Sequence, residues 1–248
     1  MEKILKKRKF GLIGKDISYS FSRHYFTKKF QELKLEDHEY VNFDLPTIKD
    51  FSKIDLEEVN GFNVTIPYKE KIMEFLDEVD EVAEEIGAVN TIKIIHKNKL
   101  IGYNTDYYGF EESLKPSLKS HHKKALVLGT GGASKAILFV LNKLNIEYKV
   151  VSRTPKNNQI SYQKITKKLL NEYNLIINST PLGTYPDIEN CPNIPYQHLT
   201  DKHLLFDLIY NPEKTTFLSK GEAKGANIIN GLKMLELQAE KAWSIWNM

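Results

Sequence analysis

One turn in this sequence is built for an anion. The apolar run Ala125–Leu128 leads straight into Gly129-Thr130-Gly131-Gly132-Ala133-Ser134, and helix-spaced residues follow from Ala133 to Leu144. Glycine at a strand-to-helix turn permits a tight bend and a close backbone approach to a pyrophosphate, while the first N–H groups of the helix face the charge. Gly129, Gly131, Gly132 and Ala133 are therefore candidate phosphate-binding positions, with Ser134 standing where the strict fingerprint has Gly or Ala. Taken alone, the same turn would serve as an ordinary strand-to-helix bend. The end of the next strand adds chemistry. It reads Ser152-Arg153-Thr154 with Lys156 just beyond, at the spacing of about 20 residues where an NAD site carries an acid for the ribose hydroxyls. A guanidinium, two hydroxyls and an ammonium suit a 2′-phosphate instead. Arginine occurs only as Arg8, Arg23 and Arg153, so its use here points to NADP as the cofactor.

Three further segments place polar groups at strand ends. They are Gly14-Lys15-Asp16-Ile17-Ser18-Tyr19-Ser20-Phe21-Ser22, then Gly61-Phe62-Asn63-Val64-Thr65-Ile66-Pro67-Tyr68-Lys69, and Asn90 with Gly102-Tyr103-Asn104-Thr105-Asp106. Ligands of open α/β sheets lie beyond the carboxyl ends of strands, so all three segments are expected to converge on one crevice. Each residue also has a structural use. Ser22 and Asp106 are placed to cap helices, Lys69 follows Pro67 in a first turn where lysine is commonly solvated, and Asn90 and Gln238 suit backbone groups in need of partners.

The elements that must hold these residues alternate between strand-type and helix-type runs, the pattern of an α/β fold with a largely parallel sheet. Strands are expected near Phe10–Ile13, Tyr40–Phe43, Gly61–Thr65 and Val89–Ile95, with Leu100–Tyr103 pairing back across a Lys97–Lys99 turn. Helices are expected over Ser22–Leu33, Pro67–Leu76 and part of Asp77–Ile86. A second unit begins after Asp106 with a helix to Leu114 that Pro116 closes and a polar linker Ser117–Lys124. Strands Ala125–Leu128, Tyr148–Ser152, Leu175–Asn178, Leu204–Asp207 and Ala226–Ile229 alternate there with helices such as Ala133–Leu144, a nucleotide-binding layout. From Gly231 to Trp246, apolar residues at helical spacing make a broad face that must pack, with the first domain as the expected partner. The expected organisation is two domains. Residues 1–106 plus 231–248 form an N-terminal α/β substrate-binding and catalytic domain with a mostly parallel sheet, and residues 107–230 form a Rossmann-like NADP-binding domain.

Composition excludes several classes. At 248 residues with 41% hydrophobic and 27% charged residues the chain is ordinary for a globular protein of one or two domains. The run Ala136–Leu141 ends at Asn142 and Lys143, far short of a bilayer span, and no membrane partner is expected. Lys6 to Lys9 are followed by only five apolar or small residues, Phe10–Gly14, too few for a signal peptide, so a cytoplasmic location is expected. A single cysteine, Cys191, rules out an internal disulfide. A net charge of +3, with lysines spread along the whole chain, gives no footprint for nucleic acid.

A set of ordered motifs runs through the sequence. Ser20 with Ser22 follows the first strand, and Asn63-Val64-Thr65-Ile66-Pro67-Tyr68-Lys69, Ala88-Val89-Asn90-Thr91 and Gly102 to Asp106 come next. The later half adds Asn178-Ser179-Thr180-Pro181-Leu182-Gly183, Asp207-Leu208-Ile209-Tyr210-Asn211-Pro212 with Thr216, and Gly231-Leu232 with Met234 and Gln238-Ala239. In this order the chain resembles the shikimate dehydrogenase family. The family pattern commonly has Pro at Asp16, His at Tyr19, Pro at Arg23, Asn at Ser152 and Gly at Lys233, and this chain departs from it at each.

The resemblance implies NADPH-dependent reduction of 3-dehydroshikimate to shikimate, a step toward chorismate and the aromatic amino acids. It implies Lys69 and Asp106 as the catalytic pair. Hydride transfer belongs to the nicotinamide, so the protein must manage the proton of the substrate oxygen, and a lysine kept cationic by a nearby carboxylate is a suitable donor. It also implies that Ser20, Ser22 and Tyr210 bind the substrate carboxylate and that Thr65, Asn90 and Gln238 meet the ring hydroxyls. Met234 is implied to lie against the nicotinamide, Asn178, Ser179 and Thr180 near the cofactor, and no residue is assigned to a metal. The expected partner is a small molecule, and the expected assembly a monomer or homodimer. Two alternatives stay open. A quinate/shikimate dehydrogenase of dual specificity would use nearly the same residues, and a non-catalytic ligand sensor on this fold would not need the proton donor.

Overall fold

The computed structural model describes residues 7–18, 20–96 and 99–248. Lys6, Tyr19 and most of the expected Lys97–Lys99 turn lie outside these. The chain divides into two compact units, Met1–Thr105 with Ala239–Met248, and Asp106–Gln238.

In the first unit, β1 (Arg8–Gly14), α1 (Phe21–Glu32), β2 (His38–Asp44), β3 (Val59–Val64), β4 (Glu78–Val79), α2 (Glu81–Ile86), β5 (Thr91–Ile95) and β6 (Lys99–Tyr103) build a six-stranded sheet of order β2-β1-β3-β5-β6-β4. β1 runs parallel to β2 and β3, and β5 is antiparallel to both β3 and β6. Phe26 and Phe30, four apart on α1, share the helix's buried face. They join Phe10, Tyr40 and Trp246 in an aromatic cluster where Phe26 stacks on Tyr40 at 4.8 Å between centroids and Phe10 on Trp246 at 4.6 Å. Gly61 lies under this cluster. A Cβ there would collide with the Trp246 indole, whose Nε1–H donates to the Ile92 carbonyl at 3.0 Å.

The helix expected over Pro67–Leu76 is replaced by a turn and a short 3-10 segment, Lys71–Phe75. The cause is a tertiary bond: the Lys69 carbonyl, which an α-helix would give to residue 73, instead accepts from Val89 N–H at 2.8 Å. The strand expected from Val89 begins only at Thr91: Val89 spends its N–H on the Lys69 carbonyl, and Asn90 makes the first bonds to the flanking strands, donating to the Tyr103 carbonyl and accepting from Val64 N–H.

The second unit comprises α3 (Asp106–Leu114), β7 (Lys124–Leu128), α4 (Gly132–Lys143), β8 (Glu147–Ser152), β9 (Ile160–Ser161), α5 (Lys167–Glu172), β10 (Leu175–Asn178), β11 (Leu204–Asp207), α6 (Thr216–Glu222) and β12 (Asn227–Ile229). The first part of α7 (Leu232–Trp246) belongs to it as well. The sheet is parallel throughout, in the order β12-β11-β10-β7-β8-β9. Its strands are apolar on both faces because helices cover both. Ala125, Val127, Leu175, Ile177, Leu204 and Phe206 pack on one side, and Leu126, Leu128, Ile176 and Leu205 on the other.

A return to the first domain at residue 231 was expected, and the division instead falls between Gln238 and Ala239. Met234 explains why: it is buried in the core that includes Phe110 and Phe206, and a Cβ on Gly109 of α3 would overlap its carbonyl. Among the described residues no helix is long and apolar enough to cross a membrane.

Candidate active site

Numbering the strands of the second unit in chain order gives 6-5-4-1-2-3, the doubly wound arrangement, so the sheet reverses direction of winding between β7 and β10. The glycine turn follows β7 and lies at that switch point. Gly129 adopts φ +110°, and a Cβ there would come within 2.8 Å of Ser179 Oγ. Gly131, the N-cap of α4, is different: a Cβ at that position would meet nothing within 4 Å. Protein packing therefore demands glycine at 129, whereas at 131 only something approaching from outside the chain would. Ser134 is buried and its hydroxyl donates to the Gly131 carbonyl at 2.6 Å, which ties down the turn where the strict fingerprint relies on a small residue. Gly132 and Ala133 supply the first turn of α4, whose N–H groups suit phosphate oxygens.

At the end of β8, Ser152 Oγ accepts from Thr154 N–H at 3.2 Å and holds the bend. Arg153, Thr154 and Lys156 follow as exposed residues, with Tyr162 close enough to Arg153 for the guanidinium to oppose the rise that burial gives the phenol's pKa. These donors fit a phosphate on the ribose.

Asn178, Ser179 and Thr180 cross the switch point after β10. Asn178 is fully buried and its amide is engaged on both sides: Nδ2 donates to Asp207 Oδ1 at 3.0 Å, and Oδ1 accepts from Thr180 N–H at 3.1 Å and Thr180 Oγ1 at 2.7 Å. Ser179 Oγ donates to the Leu128 carbonyl at 2.8 Å. Asn178 thus shapes the loop rather than projecting from it. Its partner Asp207 was only one letter of a motif in the sequence. Here it is fully buried and accepts from Asn178, from Ile209 N–H at 3.1 Å and from Thr215 Oγ1 at 2.6 Å. The carboxylate therefore joins the end of β10 to the Leu208–Tyr210 segment and to the cap of α6. Tyr210 itself is half-buried, with its pKa raised by that burial. Met234 is buried in the unit's core, and Gln238 is buried near the end of the unit.

In the first unit, Ser20 is the N-cap of α1, its Oγ accepting from Arg23 N–H at 3.1 Å. Ser20, two residues before the expected position, therefore takes the capping role assigned to Ser22. A cap of this kind uses an oxygen lone pair, so the Ser20 O–H stays a donor. Ser22 is buried with its hydroxyl beside that of Tyr40. Thr65 follows β3, its N–H donating to the Ile13 carbonyl at 2.8 Å, and its methyl leaves no space for a Cβ on Gly14. Lys69 is half-buried, anchored through its carbonyl to Val89. Asn90 is buried and accepts from Thr105 N–H at 2.6 Å. Asp106, the residue after Thr105, is buried and opens α3 in the second unit.

A doubly wound parallel unit with a glycine turn at its switch point defines a dinucleotide-binding protein of the α/β class. Comparisons narrow this. The family model for the shikimate dehydrogenase substrate binding domain matches residues 12–92. Shikimate dehydrogenase (NADP(+)) of Methanococcus vannielii is 35% identical, covering 95% of this chain and 90% of that protein, and that of Clostridium beijerinckii is 39% identical, covering 96% and 91%. Among solved structures, shikimate dehydrogenase of Aquifex aeolicus has a TM-score of 0.87 at 31% identity over 98% of this chain and 93% of that one. The Thermus thermophilus enzyme in complex with NADP(H) and shikimate has a TM-score of 0.85 at 31% identity, covering 96% and 92%. The chain belongs to the shikimate dehydrogenase (NADP(+)) family.

The state of Asp207 is testable. Burial pushes its pKa from 3.8 up to about 6 against the pull of its three donors. The folded state thus binds this proton more tightly than the unfolded state does, so ionisation costs stability as pH rises from 3.8 to about 6 and the cost is complete above that. Asp207→Asn keeps an acceptor for Asn178 and Ile209 without the charge. Its stability relative to the parent is expected to rise across that window by on the order of 3 kcal/mol and then level off. A difference in denaturant unfolding that does not change with pH would contradict this.

Proposed function

We propose that this chain catalyses the reversible NADPH-dependent reduction of 3-dehydroshikimate to shikimate, the step that leads toward chorismate and the aromatic amino acids. One observation carries the reading: the similarity to an enzyme solved with both NADP(H) and shikimate extends over 96% of this chain. We assign catalysis and most of substrate binding to residues 1–106 and cofactor binding to residues 107–238, with Tyr210 and Gln238 as the substrate-binding residues that the second unit supplies. The enzyme acts in the cytoplasm as a monomer or homodimer, and the lone Cys191 suits a reducing compartment.

NADPH, when bound, supplies the hydride. Gly129, Gly131, Gly132 and Ala133 receive its pyrophosphate, Ser152, Arg153, Thr154 and Lys156 its 2′-phosphate, and Asn178, Ser179, Thr180 and Met234 shape the site around it. Lys69 gives a proton to the oxygen that becomes a hydroxyl, and Asp106 favours the charged form of that lysine. Ser20, Ser22 and Tyr210 take the carboxylate, and Thr65, Asn90 and Gln238 the ring hydroxyls. Hydroxyls and amides suit a polyol because each satisfies the donors and acceptors that the substrate brings out of water.

Purified protein given shikimate and NADP is expected to generate the absorbance of reduced nicotinamide, and its absence would remove the assignment. Lys69→Ala should lower kcat by about 10²–10⁴-fold while shikimate still binds, because a proton donor acts in the transition state. Near-normal turnover of that variant would exclude the role. Arg153→Ala should raise KM for NADPH by about 10- to 100-fold, the worth of a charge-assisted hydrogen bond. KM for NADH should scarcely move, and an equal change for both coenzymes would contradict 2′-phosphate binding.

A further inference from the structure

A chain of buried hydrogen bonds crosses the first unit from β2 to Asn90. Tyr40 Oη donates to Asn63 Oδ1 at 2.8 Å, and Asn63 Nδ2 donates to Thr91 Oγ1 at 3.2 Å and to the Asn90 carbonyl at 3.4 Å. Thr91 Oγ1 donates in turn to Asn90 Oδ1 at 3.2 Å. Asn63 and Thr91 are direct cross-strand partners on β3 and β5, so their side chains share one face of the sheet. Tyr40, Asn63, Asn90, Thr91 and Thr105 are all buried, and Thr91 and Thr105 have no exposed surface.

Groups that have only one role orient the two amides in this chain. The Asn90 carbonyl can only accept, so the Asn63 amide must turn its nitrogen toward it and its oxygen toward Tyr40. Thr91 accepts from that nitrogen, and its single proton has Asn90 Oδ1 at 3.2 Å as the nearer acceptor, with Thr105 Oγ1 at 3.4 Å beyond it. The Thr105 N–H can only donate, and at 2.6 Å it holds the same oxygen. The oxygen of the Asn90 amide is thus claimed by Thr91 Oγ1 and by the Thr105 N–H, with Thr105 Oγ1 a third donor at 3.2 Å, and Nδ2 gives one of its two protons to that same Thr105 Oγ1 at 3.0 Å.

We propose that Tyr40, Asn63 and Thr91 are positioning residues that lock the Asn90 amide so that it meets the substrate only as a hydrogen-bond donor. The inference rests on the proposed reaction and deepens it: a ring hydroxyl that meets a fixed amide donor offers its lone pair there and keeps its proton for another partner, whereas an amide free to flip could present either a donor or an acceptor to it. Hydrogen bonds aligned in one direction polarise each other, which strengthens the donor at the end of the chain.

Thr91→Val removes the linking hydroxyl at constant shape, Thr91→Ser restores it, and Tyr40→Phe removes the first donor. Thr91→Val is expected to raise KM for 3-dehydroshikimate about 10-fold or more with KM for NADPH within about 2-fold, and Thr91→Ser to return it to within about 3-fold of the parent. Tyr40→Phe, one bond further away, should give a smaller change in the same sense. Equal loss toward both ligands, an unchanged KM in Thr91→Val, or no rescue by serine would overturn the inference. A second readout does not need turnover. In the full 15N-labelled chain the side-chain amide protons of Asn63 and Asn90 should exchange slowly, and Thr91→Val should speed their exchange. If the parent failed to reduce 3-dehydroshikimate but showed this protection, the proposed reaction would fall and the locked amide would stand. Fast exchange in the parent would overturn the lock itself.

Discussion

In a parallel ladder all strands end on one edge of the sheet, and the backbone groups beyond the last pair must find partners other than another strand. The second unit is organised around that constraint. Leu128, Asn178 and Asp207 are register partners at the ends of β7, β10 and β11, so three loops leave the sheet side by side. Side chains close the edge: Ser179 takes the Leu128 carbonyl, and the Asn178–Asp207 pair binds Thr180, Ile209 and Thr215. With those loops fixed, the glycine turn holds the start of α4 at the switch point. A carboxylate buried to do this is expensive, which is why three donors surround it.

The first unit solves a related problem with amides and hydroxyls. Where β3 meets β5 its sheet changes from parallel to antiparallel, and Val89, just before β5, turns its N–H to the Lys69 carbonyl instead of a strand. The polar groups gathered there are paired with one another beneath an aromatic layer of Phe10, Phe26, Tyr40 and Trp246. Apolar packing keeps water from competing for those bonds, and the bonds set the orientation of the Asn90 amide. Rigid cover and polar specificity thus depend on each other.

Much of this was legible in the sequence. Strands such as Leu175–Asn178 and Leu204–Asp207 end where the apolar runs end, because strands covered on both faces announce themselves as continuous apolar runs. The glycine turn and Arg153 could be placed from spacing alone. Short elements were missed: β4, α5 and α6 have two to seven residues and too few turns or alternations to show a period. Pro67–Leu76 looked helical because nothing local reveals that a carbonyl will be taken by a residue 20 positions later in the chain, as Lys69 is by Val89. Tyr40 and Asn63 passed as an ordinary strand aromatic and a motif letter for the same reason: each derives its role from a neighbour on another strand. Asp207 was hidden likewise, since its partners come from β10 and from the cap of α6.

The helix α7 carries a consequence for how the molecule is made. Its early residues pack with the second unit, whereas Ala239, Ala242 and Trp246 belong to the core of the first. During synthesis the first unit therefore leaves the ribosome with the socket over Gly61 still unfilled, and the entire second unit is translated before the indole that fills it. Chaperone dependence and aggregation during expression should thus be governed by the amino-terminal half waiting for its plug. For the same reason, residues 7–105 on their own would be a poor choice for producing the substrate-binding unit, and a permuted chain that joins 239–248 ahead of β1 would be a better one.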